Sequence, residues 1–174
     1  MSRVELFSEA TAPLTAQPYW ADGDPGPIVA ALASVPEMLQ PVLGFVGPAL
    51  SAGAVGIRAK EFAILRTSAL QGCEYCIAAH TAAALDVGLT HDEVRALRGE
   101  VSLEEGFPKE SERALLGWID ALAGATGSIP NDVWNSARTH WAEHELIEVC
   151  VTVGATMLLN RFATGLELHS EGPA

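Results

Sequence analysis

Apolar residues recur along most of the chain at spacings of three and four, which is typical of amphipathic helices. We find no run that alternates apolar and polar residues over the length of a strand, so the pattern predicts an all-α fold. The predicted helices run, in chain order, from Pro27 to Val35, Pro36 to about Leu50, Arg58 to Leu70, Cys73 to Val87, Thr90 to Leu97, Lys109 to Ala123, Pro130 to His140 and Ala142 to about Phe162.

Two segments lack this periodicity. Residues 1–24 contain Pro13, Pro18 and Gly23 without a clear period, which predicts an extended N-terminal arm. Residues 99–108 are acidic and predict a loop. The remaining chain shows no internal repeat and no low-complexity tract, so we predict a single all-helical domain over residues 25–174.

The uncharged segment from Met38 to Ile57 is long enough to raise the question of a membrane span. Pro41 and Pro48, together with four glycines, argue against a continuous spanning helix and favour a broken pair of buried helices. The N-terminal residues lack the basic and apolar regions of a signal peptide, so we expect a cytoplasmic protein without a membrane partner.

Charge and composition narrow the range of partners. The formal net charge is −12, from 22 acidic and 10 basic residues, and such a chain repels nucleic acid and anionic lipid surfaces. Hydrophobic residues make up 49% of the sequence, which favours burial of part of that surface between subunits. We therefore expect a homo-oligomer that binds neither nucleic acid nor membrane.

The three cysteines are too few for a disulfide framework, but two of them form a C-x-x-C pair, Cys73 and Cys76. A close pair of this kind is typical of redox cycling or of metal binding. A structural zinc needs two further ligands, and no second C-x-x-C exists, so we expect no metal. Cys150 lies in an apolar helical context and is predicted to be an inert core residue. The sequence has no glycine-rich phosphate loop, so we expect no cofactor.

The helices on either side of Gly72 predict a hairpin that gathers the groups thiol chemistry requires. Glu61 lies ten residues before Gln71, and His80 lies seven residues after Cys73, so antiparallel arms of about 15 and 10 Å allow the two side chains to meet. Glu61 would then fix the imidazole tautomer, and His80 would accept the thiol proton. The first turn of the second helix favours a thiolate, while the negative charge of Glu74 opposes one.

These residues also carry a family resemblance. The run Arg58 to Glu61, the run Gly72 to Cys76, and the single residues His80, Ala84, Gly88 and Glu93 resemble the alkylhydroperoxidase D-like (AhpD-like) branch of the carboxymuconolactone decarboxylase superfamily. The resemblance is strong over residues 58–97, with a weaker match at Asn160-Arg161. It implies an all-α, AhpD-like fold built around a central helical hairpin that carries the C-x-x-C motif, and assembly into trimers or hexamers.

The resemblance further implies a thiol-dependent peroxidase that reduces alkyl hydroperoxides. Cys76 is similar in position to the thiol that attacks the peroxide, and Cys73 to the resolving thiol. A dithiol reductant, such as a lipoyl or thioredoxin-like protein, would restore the pair. Tyr75 stands where alkylhydroperoxidase D has a second histidine, and a tyrosine there would support the site as a hydrogen-bond donor.

Two other functions stay open at this point. One is a helical oligomeric binding or scaffold protein with a vestigial site. The other is a carboxymuconolactone decarboxylase-like enzyme that acts on a small lactone. The decarboxylases generally lack the cysteine pair, so the presence of Cys73 and Cys76 argues against the lactone reaction.

Overall fold

The structure is a computed structural model that describes residues 2–124 and 126–169, and within these residues all regular structure is helical. The all-α prediction is confirmed. The α-helices are α1 (Pro27–Leu32), α2 (Leu39–Leu50), α3 (Ile57–Leu70), α4 (Glu74–Asp86), α5 (His91–Leu97), α6 (Leu103–Gly106), α7 (Glu110–Gly124), α8 (Asn131–His140) and α9 (Glu143–Gly165).

Helix α3 lies at the centre of the fold, where it packs against α4, α5, α7 and α9. Every side chain from Ala59 to Leu65 is buried, because neighbouring helices cover α3 on several sides. Phe62 packs edge-on against Phe107 in the largest core cluster. One turn beyond this contact, the Arg66 guanidinium forms a two-pronged ion pair with Asp120 at 2.7 and 2.8 Å, which ties α3 to α7.

A buried lysine joins α2, α3 and α9. Lys60 is fully buried, and its ammonium donates to the Ala49 carbonyl and the Thr152 hydroxyl, both at 2.9 Å. It also pairs with the Glu148 carboxylate at 2.8 Å. The hydrogen bond from Lys60 lowers the pKa of Glu148, and the Ala54 backbone N–H, 2.8 Å from that carboxylate, lowers it further. This network fixes the loop between α2 and α3.

The N-terminal residues fold back on the domain instead of extending away from it. Residues 2–24 contain turns and a short 3₁₀ segment, Gln17–Trp20. Ala12, Ala16 and Trp20 are buried in a second core cluster together with α1. The prediction of an extended arm therefore misses these turns, because the apolar residues that anchor the arm do not follow a helical period.

Two other expectations are corrected. The acidic loop contains the one-turn helix α6, which begins with a reciprocal capping box between Ser102 and Glu105. Within the segment from Met38 to Ile57, Leu39–Leu50 form one helix, α2, and a loop then leads to α3, which begins at Ile57. The predicted break is absent because Pro41 lies in the first turn of α2, where its missing N–H is tolerated, and Pro48 lies in the last turn.

Helix α9 is the one helix within the described residues whose length and apolar composition would suit a membrane span. Nearly half of its most apolar window, 44%, is buried inside the fold. It packs against α2, α3 and α7, and its inward side chains include Leu146, Val149 and Val153. These contacts are those of a core helix.

Candidate active site

The turn between α3 and α4 has a fixed geometry. Gly72 adopts φ +65°, a left-handed conformation that favours glycine. The Cys73 N–H donates to the Ser68 carbonyl at 3.1 Å, and the Gly72 N–H donates to the Ala69 carbonyl at 3.1 Å. These two bonds form a Schellman motif, which ends α3 and directs the chain straight into α4. The C-x-x-C pair therefore begins immediately after a rigid helix end.

The predicted contact between Glu61 and His80 is present. Glu61 Oε2 lies 3.0 Å from His80 Nδ1, across the α3–α4 hairpin. Glu61 is 5% exposed, whereas the His80 side chain is 24% exposed. A carboxylate at this distance holds Nδ1 as the donor nitrogen, so the second ring nitrogen is the one available to exchange a proton.

Both cysteines of the pair carry free thiols and are buried. Cys73 is 2% exposed and Cys76 is 5% exposed. Cys73 is the residue that immediately precedes α4, and Cys76 lies in the first turn of that helix. His80 follows Cys76 by four residues and so shares its helix face. No hydrogen bond joins His80 to either thiol, so a proton between them needs a rearranged side chain or a bridging water.

The two thiols have different proton affinities. A hydrogen bond from Cys76 lowers the pKa of Cys73 to about 6, while burial opposes that shift. The backbone N–H groups of Cys76 and Tyr75 and the Thr164 hydroxyl also lower it. The same hydrogen bond raises the pKa of Cys76, and burial adds to that rise. Cys73 is therefore the more readily ionised thiol of the reduced pair.

Residues from both ends of the described chain cover the thiols. Cys73 and Cys76 form an apolar cluster with Ala31 of α1 and with Ala163 and Leu168 at the end of α9. Partly buried side chains pack against this cluster, namely Val4, Ile28, Tyr75, Phe162 and Leu166. The periodic pattern did not predict this cover, because it depends on contacts between segments that are far apart in the sequence.

Residues 36–121 match the carboxymuconolactone decarboxylase family. The chain is also similar to a crystal structure of a protein of unknown function from Agrobacterium tumefaciens, for which a role in antioxidant defence as AhpD is suggested. The two share 29% identity with a TM-score of 0.73, over 82% of this chain and 95% of the other. This chain belongs to the AhpD-like branch of the carboxymuconolactone decarboxylase superfamily.

Two further structures share the AhpD-like fold. One is the AhpD core of an uncharacterised peroxidase-related protein from Ralstonia eutropha, with a TM-score of 0.81 and 18% identity over 98% of this chain and 93% of the other. The other is the debrominase Bmp8 in its apo form, with a TM-score of 0.73 and 15% identity over 96% and 91%. A comparison with curated proteins gives no significant match.

Tyr75 lies between the two cysteines in the sequence and packs against the cluster that contains them. Burial raises its pKa, and the neighbouring charges of Cys76, Cys73 and Asp24 add to that rise. Its hydroxyl lies against the backbone of Gly26, where an added β-carbon would be 3.7 Å away. A phenol with a raised pKa keeps its proton at neutral pH, so Tyr75 can donate a hydrogen bond but cannot act as a base.

The pair Asn160-Arg161, which resembles other AhpD-like proteins, contacts the hairpin and not the thiols. The Asn160 side-chain oxygen accepts a hydrogen bond from the Ser68 hydroxyl at 3.2 Å, and the Arg161 guanidinium donates to Gln71 at 2.7 Å. Both partners belong to the last turn of α3 or its end. Asn160 and Arg161 therefore anchor α9 against the helix end that sets the position of Cys73.

Residues beyond the hairpin do not extend the site into a metal centre. Within residues 2–124 and 126–169, no three His, Cys, Asp or Glu side chains lie close enough together to hold a metal ion. Cys150 packs against the largest core cluster, separate from the pair, and burial raises its pKa. An inert thiol in that position makes it a suitable substitution for experiments that follow Cys73 and Cys76 alone.

Proposed function

We propose that this protein is a thiol-dependent peroxidase that reduces alkyl hydroperoxides through Cys73 and Cys76, with Glu61 and His80 as the proton relay. One observation carries the proposal furthest. The buried Glu61 carboxylate lies 3.0 Å from His80 Nδ1. The helix that carries His80 begins at the Cys73–Cys76 pair, in which the pKa of Cys73 is lowered and that of Cys76 is raised. This combination supplies an ionised sulfur and a nearby group that can accept or return a proton.

In the proposed oxidation, the sulfur of Cys76 attacks the distal oxygen of the hydroperoxide. The O–O bond breaks, the alcohol leaves with a proton supplied by His80, and Cys76 becomes a sulfenic acid. Before the attack, Cys76 must give up its own proton, either to His80 or across its hydrogen bond to the Cys73 thiolate. The Glu61 carboxylate stabilises the imidazolium that exists between these transfers.

The second step uses Cys73. Its sulfur attacks the sulfenic sulfur of Cys76, water leaves, and a Cys73–Cys76 disulfide forms. The pair has then lost two electrons, and the hydroperoxide has become an alcohol and water. A dithiol donor, such as a lipoyl or thioredoxin-like protein, returns the two electrons by exchange with the disulfide. Proximity of the two cysteines across a single helical turn supports this closure.

Peroxide consumption with a dithiol donor tests this scheme. With dithiothreitol and cumene hydroperoxide, turnover should vanish in Cys76→Ser. In Cys73→Ser, treated with peroxide before any dithiol is added, the enzyme should consume one peroxide and stop, with a sulfenic acid that dimedone traps on Cys76. Cys150→Ser is the matched control and should keep wild-type turnover. Full turnover in both single variants of the pair would remove the proposal.

The binding-protein alternative predicts a different chemistry for the same residues. Cys73 and Cys76 would be two unreactive thiols, and hydrogen peroxide would leave them reduced. Mass spectrometry of the peroxide-treated protein separates the two functions, because disulfide formation lowers the mass by two hydrogens. In the part of the chain that the structure describes, we find no arrangement of side chains that favours the lactone reaction.

We also propose a soluble, cytoplasmic homo-oligomer, as a trimer or hexamer. One face of α9 leaves large apolar side chains exposed, namely Ile147, Val151 and Leu158. Side chains at such spacing form a continuous stripe on a helix, and burying it in an oligomer would remove it from water. Light scattering coupled to gel filtration would give the mass of the assembly, and a monomer at micromolar concentration would contradict the expectation.

A further inference from the structure

Resting on the proposed function, we propose that residues 2–7 determine which partners reach the thiols. These residues, here called the strap, pack Val4 against the apolar cluster that contains Cys73 and Cys76, and must move aside before a protein-sized reductant can meet Cys73. The strap lies outside residues 36–121, the part of the chain that matches the family. It therefore adds a control on access that the matched residues do not contain.

The thiols are closed from the side of the strap. With exposures of 2% and 5%, neither cysteine offers a surface to another protein. Val4 packs against the apolar cluster that contains both cysteines, next to Leu166 and Leu168 from the end of α9. Thiol–disulfide exchange requires an attacking sulfur to reach the disulfide sulfur directly. The protein as folded cannot make that contact with a macromolecular partner.

The strap is held by a few hydrogen bonds and by two partly buried apolar side chains, Val4 and Phe7. The Arg3 N–H donates to the Leu166 carbonyl at 2.9 Å, and its guanidinium donates to the Gly165 carbonyl at 3.1 Å. The same guanidinium pairs with Glu167 at 2.6 Å, with side chains that are 61% and 47% exposed. Towards the other end of the strap, the Phe7 N–H donates to the Ala30 carbonyl at 3.3 Å. Exposed ion pairs contribute little to stability, and Val4 and Phe7 are only partly buried, so the strap can open without unfolding the domain.

The residue that pairs with Arg3, Glu167, has an unusual backbone conformation. Helix α9 ends in a Schellman motif, with the Leu168 N–H bonded to the Ala163 carbonyl at 2.9 Å and the Glu167 N–H bonded to the Thr164 carbonyl at 3.3 Å. Glu167 has φ +52°, at the position that Gly72 takes in the equivalent motif of α3. A glutamate is strained there, whereas a glycine is not. Its carboxylate is what reaches Arg3, and a glycine would lose that contact.

Small and large partners then use different routes. His80 is the most exposed of the four predicted site residues, so a small hydroperoxide can approach the relay from that side while the strap stays closed. A protein dithiol has to displace the strap to reach Cys73. The oxidation step is thus independent of the strap, and reduction by a protein depends on its opening.

Labelling of the reduced protein measures the opening directly. In a Cys150→Ser background, the probes are iodoacetamide and a maleimide carrying a 5-kDa polyethylene glycol chain. We expect Arg3→Ala and Glu167→Gly to raise the rate of polymer labelling by up to about fivefold, the factor that an exposed ion pair supports. The matched control is Arg138→Ala, which removes an exposed pair with Glu143 at 2.8 Å on another part of the surface.

The Glu167→Gly variant shows whether faster labelling comes from opening of the strap or from a less stable protein. It removes the backbone strain at φ +52°, so the melting temperature should stay the same or rise while labelling accelerates. Faster labelling with a lower melting temperature in every strap variant, or equal labelling in the wild type and the strap variants, would overturn the proposal. So would an equal gain in Arg138→Ala.

The same variants connect the strap to turnover. Reduction of the Cys73–Cys76 disulfide by a thioredoxin-like protein should accelerate in Glu167→Gly, while oxidation by hydrogen peroxide should not change. The labelling experiment needs no peroxide, so its outcome is independent of the proposed activity. A wild-type protein that forms no disulfide would defeat the peroxidase proposal, whereas an unchanged labelling rate would defeat the strap.

Discussion

Glu61 and His80 meet at 3.0 Å across the α3–α4 hairpin, although 19 positions separate them in the sequence. The carboxylate is almost fully buried, and the imidazole is partly exposed. Glu61 therefore sets the orientation of the His80 ring, and of the two side chains it is His80 that reaches solvent. We expect such a pair to act as a single proton-transfer unit, so that losing either residue removes the function of both.

We expect Glu61→Gln and His80→Asn each to slow oxidation of Cys76 by about 100-fold or more, the usual contribution of a positioned acid–base group. The double variant should be little slower than the poorer single variant, because each change already disables the relay. Stopped-flow measurement of the first turnover with cumene hydroperoxide gives the three rates. Losses that simply multiply in the double variant would show two independent contributions.

The pH dependence of labelling should follow the pKa of Cys73, which is about 6. A lowered pKa means that the thiolate persists above pH 6, so iodoacetamide labelling of Cys73 should level off there and fall tenfold per pH unit below it. Mass spectrometry of the labelled peptide measures this in the Cys150→Ser protein.

Two variants test why that pKa is low. Cys76→Ala removes the largest cause, so the midpoint should move up towards the ordinary value of a thiol. Thr164→Val removes a smaller cause and should move the midpoint less in the same direction. A midpoint near 9 in the unmodified pair would contradict the hydrogen-bonded arrangement.

Gly106 should not tolerate a side chain. A β-carbon at this position would lie 2.4 Å from the β-carbon of Ala96, where α6 packs against α5. We expect Gly106→Ala to lower the free energy of unfolding by about 1–3 kcal/mol, the range for overpacking. The control is Gly117→Ala in α7, which meets no atom within 4 Å and should be neutral or stabilising. Urea denaturation of both variants gives the comparison.

Substitution of Glu148 and substitution of Lys60, the two partners of the buried ion pair, should lower the free energy of unfolding by different amounts. Glu148→Ala leaves the fully buried Lys60 without its carboxylate, so we expect a loss of about 3–5 kcal/mol in the free energy of unfolding. Lys60→Met leaves a glutamate that is 23% exposed and still accepts the Ala54 N–H, so the loss should be smaller. Equal losses in urea denaturation would contradict this ranking.

The pKa of Glu148 adds a pH dependence to that pair. Because the folded protein lowers this pKa, the ion pair stabilises the protein above the ordinary carboxyl pKa. The stabilisation is lost as the pH falls through the lowered value. Lys60→Met should flatten this part of the acid limb of the stability curve, which unfolding measurements between pH 2 and 6 would reveal.

The hairpin could be predicted from the sequence because its geometry is local. Gly72 marks the turn, and the rise per residue of the two helices places Glu61 opposite His80. The helix predicted from Thr90 to Leu97 is local for the same reason: it is α5, which begins with a capping box between Thr90 and Glu93. Short-range rules determine both features, so the sequence alone was sufficient.

Other features depend on contacts that no local rule contains. The arm packs Val4 against the cluster that contains the two thiols, and Lys60 pairs with the Glu148 carboxylate on α9. Val4 and Lys60 both lie in segments whose hydrophobic periodicity does not indicate which other segment they pack against. The helix α6 was missed for a different reason: a single capped turn among acidic residues gives too short a pattern to detect. The cover over the site therefore became visible only with the tertiary structure.

The contact between Arg3 and Glu167 places two sequence-distant segments side by side. A circularly permuted protein, with a peptide linker between these segments and new termini in the loop before α8, would convert the ion pair into a covalent tether. Such a tether would bar macromolecular electron donors permanently while leaving the His80 side accessible to solutes. Peroxide would then oxidise the permuted protein once, and its Cys73–Cys76 disulfide would persist. Such a protein would record exposure to peroxide instead of catalysing its reduction.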